Sequence, residues 1–116
     1  MSDCIFCRIG RGEIPAAKVY EDEEILAFRD INPQRPVHVL VIPKRHITSL
    51  ATVAEGDAPV LGRMLAKAGE IAAAEGCSDG FRAIINTGRV GGQEVPHLHL
   101  HIVGGPDPVG PMLKRI

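Results

Sequence analysis

The spacing of apolar and polar positions along the chain predicts several short strands and one long helix. Five segments have the alternating or continuous apolar patterns of strands, and turn-forming residues separate them. The first two flank the acidic turn Asp22-Glu23-Glu24, so we expect them to form a hairpin. The third is rich in β-branched residues and ends at Pro43, which cannot donate to a sheet. The predicted strands are residues 19–21, 25–29, 37–42, 81–86 and 96–103.

The predicted helix covers residues 58–75. Asp57 precedes it as a candidate cap, Pro59 falls in its first turn, and Gly76 follows in a position that favours left-handed backbone. Together with the strands, this helix predicts an α+β fold with an antiparallel sheet of about five strands. Six apolar residues recur at spacings of three and four and form one stripe: Leu61, Met64, Leu65, Ala68, Ile71 and Ala72.

Length and charge restrict the class of protein. A chain of 116 residues predicts one domain, residues 1–116, in which 106–116 form a C-terminal tail. Thirteen basic against fourteen acidic side chains argue against nucleic acid as the partner, because a phosphate-backbone binder carries a basic excess. The sequence shows neither an apolar run of ~20 residues nor a secretory signal, so we expect a cytoplasmic protein with no membrane association. Three cysteines are too few for a disulfide scaffold.

Histidine provides the strongest chemical signal. In an extended strand alternate residues share a face, with ~7 Å between neighbours, so three of the five histidines are expected to project together. This face is either a polar surface that happens to be rich in histidine, a zinc site, or a nucleophilic imidazole with acid–base partners. The run reads His97-Leu98-His99-Leu100-His101-Ile102-Val103.

A glycine-rich turn directly upstream favours the nucleophile. Gly88 and the segment Gly91-Gly92-Gln93-Glu94 precede the histidines. Glycines let backbone N–H groups approach an oxyanion closely, and Gln93 adds an amide donor. Imidazole is neutral for much of its population at pH 7 and is therefore able to attack phosphorus. The turn and the histidines together predict an anion cradle beside a nucleophile.

The histidine run has the pattern His-φ-His-φ-His-φ-φ, where φ is apolar, and it resembles the signature of the histidine triad (HIT) superfamily. Other segments are similar to its histidine triad nucleotide-binding (Hint) branch. The resemblance implies a HIT-like sheet with one main helix and a short N-terminal helix. The matching segments are Ala27-Phe28-Arg29-Asp30-Ile31-Asn32-Pro33, His38-Val39-Leu40-Val41-Ile42-Pro43-Lys44, Asn86, Gly92-Gln93 and Gly104-Gly105.

This resemblance implies a hydrolase that acts on nucleoside phosphoramidates and releases a purine nucleoside monophosphate. By motif position, His99 corresponds to the nucleophile that forms a covalent nucleotidyl-histidine. His101 corresponds to the residue that binds phosphate oxygen and helps to move a proton to the leaving amine. His38 corresponds to a residue that orients the triad. The resemblance implies no cofactor in catalysis.

The resemblance also implies a nucleotide-binding set. Asp30 matches the carboxylate that accepts hydrogen bonds from the ribose hydroxyls, a role that suits an acceptor-only group. Without the resemblance, Asp30 would be a turn residue and His38 a structural one. Apolar base-slot positions are Phe6 and Ile31, and ribose-phosphate positions are Asn86, Gly92, Gln93, Glu94, His99 and His101.

Two residues depart from the pattern of the branch. Glu94 stands where some members have a serine implicated in proton transfer to the leaving group. A carboxylate there acts as an acid only if its pKa is raised, and otherwise it repels phosphate. Pro96 stands where a bulkier residue is expected, although proline is acceptable at the start of a strand.

The N-terminal cysteines Cys4 and Cys7 form a C-x-x-C motif. From the residues alone, a redox pair, inert thiols and half of a zinc site are all open. Some bacterial-type relatives with this pair resemble zinc proteins that use two further histidines, here His46 and His97. The resemblance therefore implies a structural zinc held by these four residues. Cys77 follows the helix and is interpreted as an ordinary thiol.

Two other functions share the triad. The first is a nucleotide-binding regulatory module without turnover, and the second is a dinucleoside polyphosphate hydrolase. The resemblance also implies a homodimer that joins two sheets into one. A small core makes the additional burial at such an interface useful.

Overall fold

The computed structural model describes residues 4–111, and residues 1–3 and 112–116 lie outside this range. Its elements are α1 (Ile5–Gly10), β1 (Lys18–Glu21), β2 (Ile25–Arg29), β3 (Val37–Pro43), α2 (Ala58–Ala74), β4 (Arg82–Ile84) and β5 (Leu100–Gly104). All neighbouring strands pair antiparallel, in the order β1-β2-β3-β5-β4. The predicted α+β fold, with five strands, one main helix and a short N-terminal helix, is confirmed.

The central strands are covered on both faces, which explains why their sequences are continuously apolar. Successive residues of a strand point to opposite faces, so a strand between two layers needs apolar residues at every position. The face toward α2 includes Ile25, Ala27, Val39 and Val41. The face toward α1 includes Leu26, Phe28, Leu40 and Ile42.

Helix α2 lies close to its predicted position, but its buried stripe is shifted. Val60 is buried, whereas the predicted core residue Leu65 is 58% exposed. Asp57 does not cap the helix; its Oδ2 accepts the N–H of Ala54 in the preceding turn, and its Oδ1 accepts from Arg45. The predicted left-handed glycine after the helix is confirmed, because the φ angle of Gly76 is +94°.

The fifth strand is shorter than predicted. It begins at Leu100, not at residue 96, and the preceding residues pair with a loop. The N–H of Leu98 donates to the carbonyl of Ile47 at 2.6 Å, and the N–H of His97 donates to that of Val95 at 2.8 Å. The predicted alternation of faces still holds there, since Leu98 is buried in the core against α2. The first two histidines of the run therefore lie at the end of a loop.

Strand β4 is also shorter than its predicted range of 81–86 and forms one edge of the sheet. Among residues 4–111, no helix is both long enough and apolar enough to cross a membrane. Residues 112–116 of the predicted tail fall outside the described residues.

Candidate active site

His38 and His101 come together on the α1 face of the sheet. The register pairs Leu40 of β3 with His101 of β5, and His38 with Val103, so the two histidines are diagonal neighbours on one face. Their ring centroids lie 5.2 Å apart. Antiparallel pairing thus brings together two residues that are 63 positions apart in the chain.

A chain of hydrogen bonds fixes the tautomers of both rings. The main-chain N–H of Gln34 donates to Nδ1 of His38 at 3.0 Å, so the neutral His38 ring carries its proton on Nε2. This Nε2 lies 2.9 Å from Nδ1 of His101 and donates to it, which leaves the His101 proton on Nε2. Nε2 of His101 is buried and has no hydrogen-bond partner within the described part of the chain. A buried N–H without a partner is a strong donor for an anionic oxygen.

His99 has the opposite tautomer. Its Nδ1 lies 2.7 Å from the carbonyl of His97, and a carbonyl only accepts, so Nδ1 carries the proton. The lone pair of the neutral ring is therefore on Nε2. The ring is 6% exposed and lies 4.8 Å from the His101 ring, centroid to centroid. A nitrogen lone pair and an N–H donor are thus adjacent in one buried site.

Burial keeps the His38 and His101 rings neutral near pH 7. It lowers the pKa of His101 to about 4, an effect that the neighbouring His99 and His38 rings reinforce and the Asp30 charge opposes. It also lowers the pKa of His38, again against Asp30. The hydrogen-bond chain needs these neutral rings, because Nδ1 of His38 accepts a hydrogen bond from Gln34 and Nδ1 of His101 accepts one from His38.

Of the predicted base and ribose residues, two contact the histidines. The Phe6 ring lies edge-on to His99, with centroids 5.2 Å apart. Asp30 accepts the N–H of Asn32 at Oδ1, and its Oδ2 lies 3.5 Å from Nε2 of His38. Ile31 is 92% exposed and therefore lies open to solvent.

The predicted phosphate-binding turn folds back on itself. Gly88 donates its N–H to Oε1 of Gln93 at 2.9 Å, and the N–H of Gln93 donates to the carbonyl of Gly88 at 3.0 Å. A Cβ on Gly91 would lie 2.4 Å from the carbonyl oxygen of Thr87, so only glycine fits there. Gly92 has a φ angle of +79°. Asn86 is half-buried and Glu94 is exposed at the two ends of this turn.

The four predicted metal ligands lie together beside the triad. The N-terminal segment brings Cys4 and Cys7 against His46 of the loop after β3 and His97 of the segment before β5. Sγ of Cys4 and Sγ of Cys7 lie 3.3 and 3.5 Å from Nδ1 of His97, and Sγ of Cys7 lies 3.3 Å from Nδ1 of His46. All four ligand atoms lie within 4.8 Å of one another, so this group is able to hold a metal ion.

Hydrogen bonds behind these histidines direct Nδ1 toward the thiols. Nε2 of His97 lies 2.8 Å from the carbonyl of Pro43, which only accepts, so Nδ1 of the neutral ring has the lone pair. Nε2 of His46 lies 3.3 Å from the Thr48 hydroxyl. Metal-binding histidines typically donate their second N–H in this way. Burial, together with the neighbouring His46 and His99, lowers the pKa of His97 to about 4, although its hydrogen bond to Pro43 raises it.

Asp30, His38 and His101 form a second group of ligand-type atoms within 4.8 Å of one another. Their hydrogen bonds give these atoms a different use. Nδ1 of His38 accepts from Gln34, so the nitrogen that faces the group carries a proton in the neutral ring. The two groups therefore differ in chemistry, since the first presents lone pairs to a metal ion, whereas in the second the N–H of His38 lies between two acceptors, Oδ2 of Asp30 and Nδ1 of His101.

The sequence did not indicate three of the groups that fix these rings. They are the N–H of Gln34 and the carbonyls of Pro43 and His97. Every residue other than proline has a main-chain N–H, and every residue has a carbonyl, so residue type carries no signal for these contacts.

Comparison with known proteins identifies the family. The HIT domain model matches residues 11–107. The chain is 57% identical to Protein HitA of Neisseria gonorrhoeae over 106 residues, which cover 91% of this chain and 99% of that protein. It is 49% identical to the purine nucleoside phosphoramidase of Escherichia coli K12 over 114 residues, covering 97% and 95% of the two chains.

Solved structures give the same result. The HIT family hydrolase from Legionella pneumophila Philadelphia 1 superimposes with a TM-score of 0.87 at 50% identity, covering 90% of this chain and 95% of that one. A histidine triad protein from Clostridium difficile gives 0.89 at 45% identity, with 95% and 96% covered. The chain belongs to the HIT domain family, as its histidine run predicted.

Proposed function

We propose that this protein is a purine nucleoside phosphoramidase, a hydrolase of the P–N bond in nucleoside phosphoramidates. The observation that carries the proposal is the pair of opposite tautomers, in which Nε2 of His99 has a lone pair beside the N–H of His101. Attack on the phosphorus of an anionic substrate requires both groups, a lone pair that forms the new bond and an N–H that stabilises the negative charge on the phosphate oxygens. The name of the Escherichia coli relative supports the same activity.

In the first step, Nε2 of His99 attacks phosphorus and the P–N bond breaks. The leaving amine takes the proton from Nε2 of His101, whose Nδ1 still accepts the N–H of His38, and a proton from solvent replaces it so that the His101 ring stays neutral. The product is a nucleotidyl-His99 whose ring is positively charged. The carbonyl of His97 accepts the remaining N–H of that ring and so stabilises its charge.

In the second step, water attacks phosphorus and the bond to His99 breaks. The water releases one proton to solvent, which balances the proton taken up in the first step, and the nucleoside monophosphate leaves with the starting tautomers restored. The net reaction consumes one water and gives one amine and one nucleotide. None of these steps needs a cofactor.

Nucleotide binding is assigned to the groups around this centre. Phe6 and Ile31 are proposed to border the base, and Asp30 to accept the ribose hydroxyls through an oxygen not used by Asn32. The remaining proposed contacts, at the phosphate and ribose, are Asn86, Gly92, Glu94, His99 and His101, whereas the side chain of Gln93 is already bonded to main-chain groups.

The test compares the wild type with His99→Ala on adenosine 5′-monophosphoramidate. We expect turnover to be lost while AMP binding, measured by calorimetry, is retained. Leu65→Ala on the outer face of α2 removes a large exposed side chain away from the site and serves as the control. Turnover by His99→Ala at near-wild-type rates would refute the covalent mechanism. Binding of AMP by the wild type without turnover would favour a regulatory module, and preferred cleavage of diadenosine tetraphosphate would favour the polyphosphate hydrolase.

We also propose that Cys4, Cys7, His46 and His97 hold a structural zinc ion. Two thiolates and two imidazoles are a common zinc set, and bond lengths of about 2.3 and 2.0 Å imply S···N separations of about 3.5 Å in a tetrahedron. The observed separations of 3.3 to 3.5 Å fit this geometry without rearrangement. Such an ion would anchor the N-terminal segment to the sheet and supply no chemistry to the reaction.

The zinc proposal is tested by metal analysis of Cys7→Ser against the matched variant Cys77→Ala. Both residues are buried cysteines, but only Cys7 faces the two histidines. We expect about one zinc per chain in the wild type and in Cys77→Ala, and a large loss in Cys7→Ser. Wild-type protein prepared without chelator and found free of zinc would refute the proposal.

A homodimer in the cytoplasm is proposed as the working state. Strand β4 has an unpaired edge, Phe81 beside it is 37% exposed, and an open cavity of about 1320 Å³ lies between this edge and residues 104–111. A second copy of β4 would pair with that edge and extend the sheet. Ala83→Pro places in β4 a residue that is unfavourable for strand pairing, so light scattering is expected to show a dimer for the wild type and a monomer for the variant. The reducing cytoplasm would also keep the two cysteine ligands free of a disulfide.

A further inference from the structure

The side-chain amide of Gln93 is fully engaged by the main chain. Its Oε1 accepts the N–H of Gly88 at 2.9 Å. Its Nε2 donates to the carbonyls of Thr48 and Val95 at 2.7 and 2.9 Å. A glutamine amide has two N–H groups, and both are used, so no donor remains for a phosphate oxygen.

These three bonds connect parts of the site that are distant in sequence. Gly88 begins the glycine-rich turn, and Thr48 is 45 residues away from Gln93 in the loop after β3. The same loop carries His46 and offers the carbonyl of Ile47 to the N–H of Leu98. Gln93 therefore bonds the turn to the loop that also holds the extended segment before β5.

Gln93 bonds to both main-chain polar groups of Gly88, at the other end of the turn. Its own N–H donates to the carbonyl of Gly88, and its side chain accepts the N–H of the same residue. Gly88 has a φ angle of +69°, and the turn is tight enough to exclude any side chain at Gly91. A turn that is exposed to solvent on one side needs such bonds to keep one conformation.

We propose that Gln93 is a positioning residue, which fixes the glycine-rich turn against the loop at Thr48, and that it does not donate to the phosphate. This inference rests on the proposed function for what the turn binds, but the contacts themselves exist in the free protein. A contact to phosphate through Nε2 would require the loss of one of the carbonyls of Thr48 and Val95.

The test measures amide hydrogen exchange in the nucleotide-free protein. Gln93→Met keeps the length of the side chain and removes all three hydrogen bonds, whereas Gln93→Glu keeps an acceptor for Gly88 and removes both donors. We expect faster exchange at Gly88 in the Met variant by about fivefold, since one net hydrogen bond is worth about 1 kcal/mol and 1.4 kcal/mol is a tenfold change. The control is Val90→Ala at the tip of the same turn, where the side chain is 90% exposed.

Affinity for AMP separates the two roles of Gln93. A positioning role predicts faster exchange in the free Met and Glu variants, weaker AMP binding, and a larger change in KM than in kcat. A direct phosphate contact predicts weaker AMP binding with wild-type exchange in the free protein, and that result would overturn the proposal. If Gln93→Met does not fold, its amide hydrogens across β2 and β3 will exchange rapidly. The comparison between a positioning role and a direct phosphate contact then rests on Gln93→Glu. If the wild-type protein proves to have no phosphoramidase activity, the exchange experiment still tests the role of Gln93, because it is made on the nucleotide-free protein.

Discussion

The unusual environment of His101 makes the stability of the fold dependent on pH. Its pKa is about 4 in the folded protein, against an ordinary value of 6.5. Above pH 6.5 the ring is neutral in both the folded and the unfolded chain, so it adds no pH dependence. Between pH 6.5 and 4 the unfolded ring binds a proton that the folded ring does not, and the free energy of unfolding falls as the pH falls.

The magnitude follows from the same pKa values. One pKa unit corresponds to 1.36 kcal/mol, so the full difference would cost about 2.5 kcal/mol at pH 4.5. His101 is half-buried, and solvent screening reduces the expected cost to about 1–2 kcal/mol. The structural cause is burial of the ring, which the neighbouring His99 and His38 rings reinforce. A proton on Nδ1 of His101 would also place two N–H groups against each other.

The assay is urea unfolding of the wild type and of His101→Gln at pH 7.5 and pH 4.5. Glutamine removes the titrating group but keeps a polar amide near the same position. All other titrating groups are common to the two proteins, so they cancel in the difference. We expect the wild type to lose about 1–2 kcal/mol more than the variant on acidification. An equal loss in both proteins would refute the assignment of a neutral, buried ring.

Three further predictions concern single contacts. His38→Phe removes the donor to Nδ1 of His101 and should lower kcat by about 10- to 100-fold with a smaller change in KM. An unchanged kcat would show that this hydrogen bond does not contribute to catalysis. Asp30→Asn should raise KM, and should shift the acid limb of the pH–rate profile to lower pH, because the charge of Asp30 raises the pKa of His38. Gly91→Ala places a Cβ 2.4 Å from the Thr87 carbonyl oxygen and should lower Tm by about 5 °C or more, measured by calorimetry.

The sequence predicted the elements better than their pairing. Periodicity places the strands and the helix, because burial of one face leaves a direct trace in residue type. It gave a strand start at residue 96, whereas β5 begins at Leu100, since the segment before it bonds to the loop at Ile47. Apolar alternation is the same in both arrangements, so it does not show which partner accepts the main-chain bonds. The exchange of Leu65 for Val60 in the buried stripe has a similar origin, as a small rotation of α2 changes which residues face the sheet.

The candidate site shows the same division. The histidine run and the C-x-x-C motif were visible as patterns, and resemblance to the family added the roles of His38 and His46. The tautomers depend on main-chain groups of Gln34, Pro43 and His97, which only the folded structure reveals. The sequence predicted that the side-chain amide of Gln93 donates to a phosphate, but in the folded protein both of its N–H groups donate to the carbonyls of Thr48 and Val95.

Phe6 packs against both the candidate active site and the proposed metal site. It stands between the two cysteines in the chain, and its ring lies edge-on to His97 at 5.9 Å and to His99 at 5.2 Å. A designer who enlarges the proposed base slot by replacing Phe6 therefore also changes the packing of a proposed metal ligand. A library at this position needs to be screened for both substrate range and metal content.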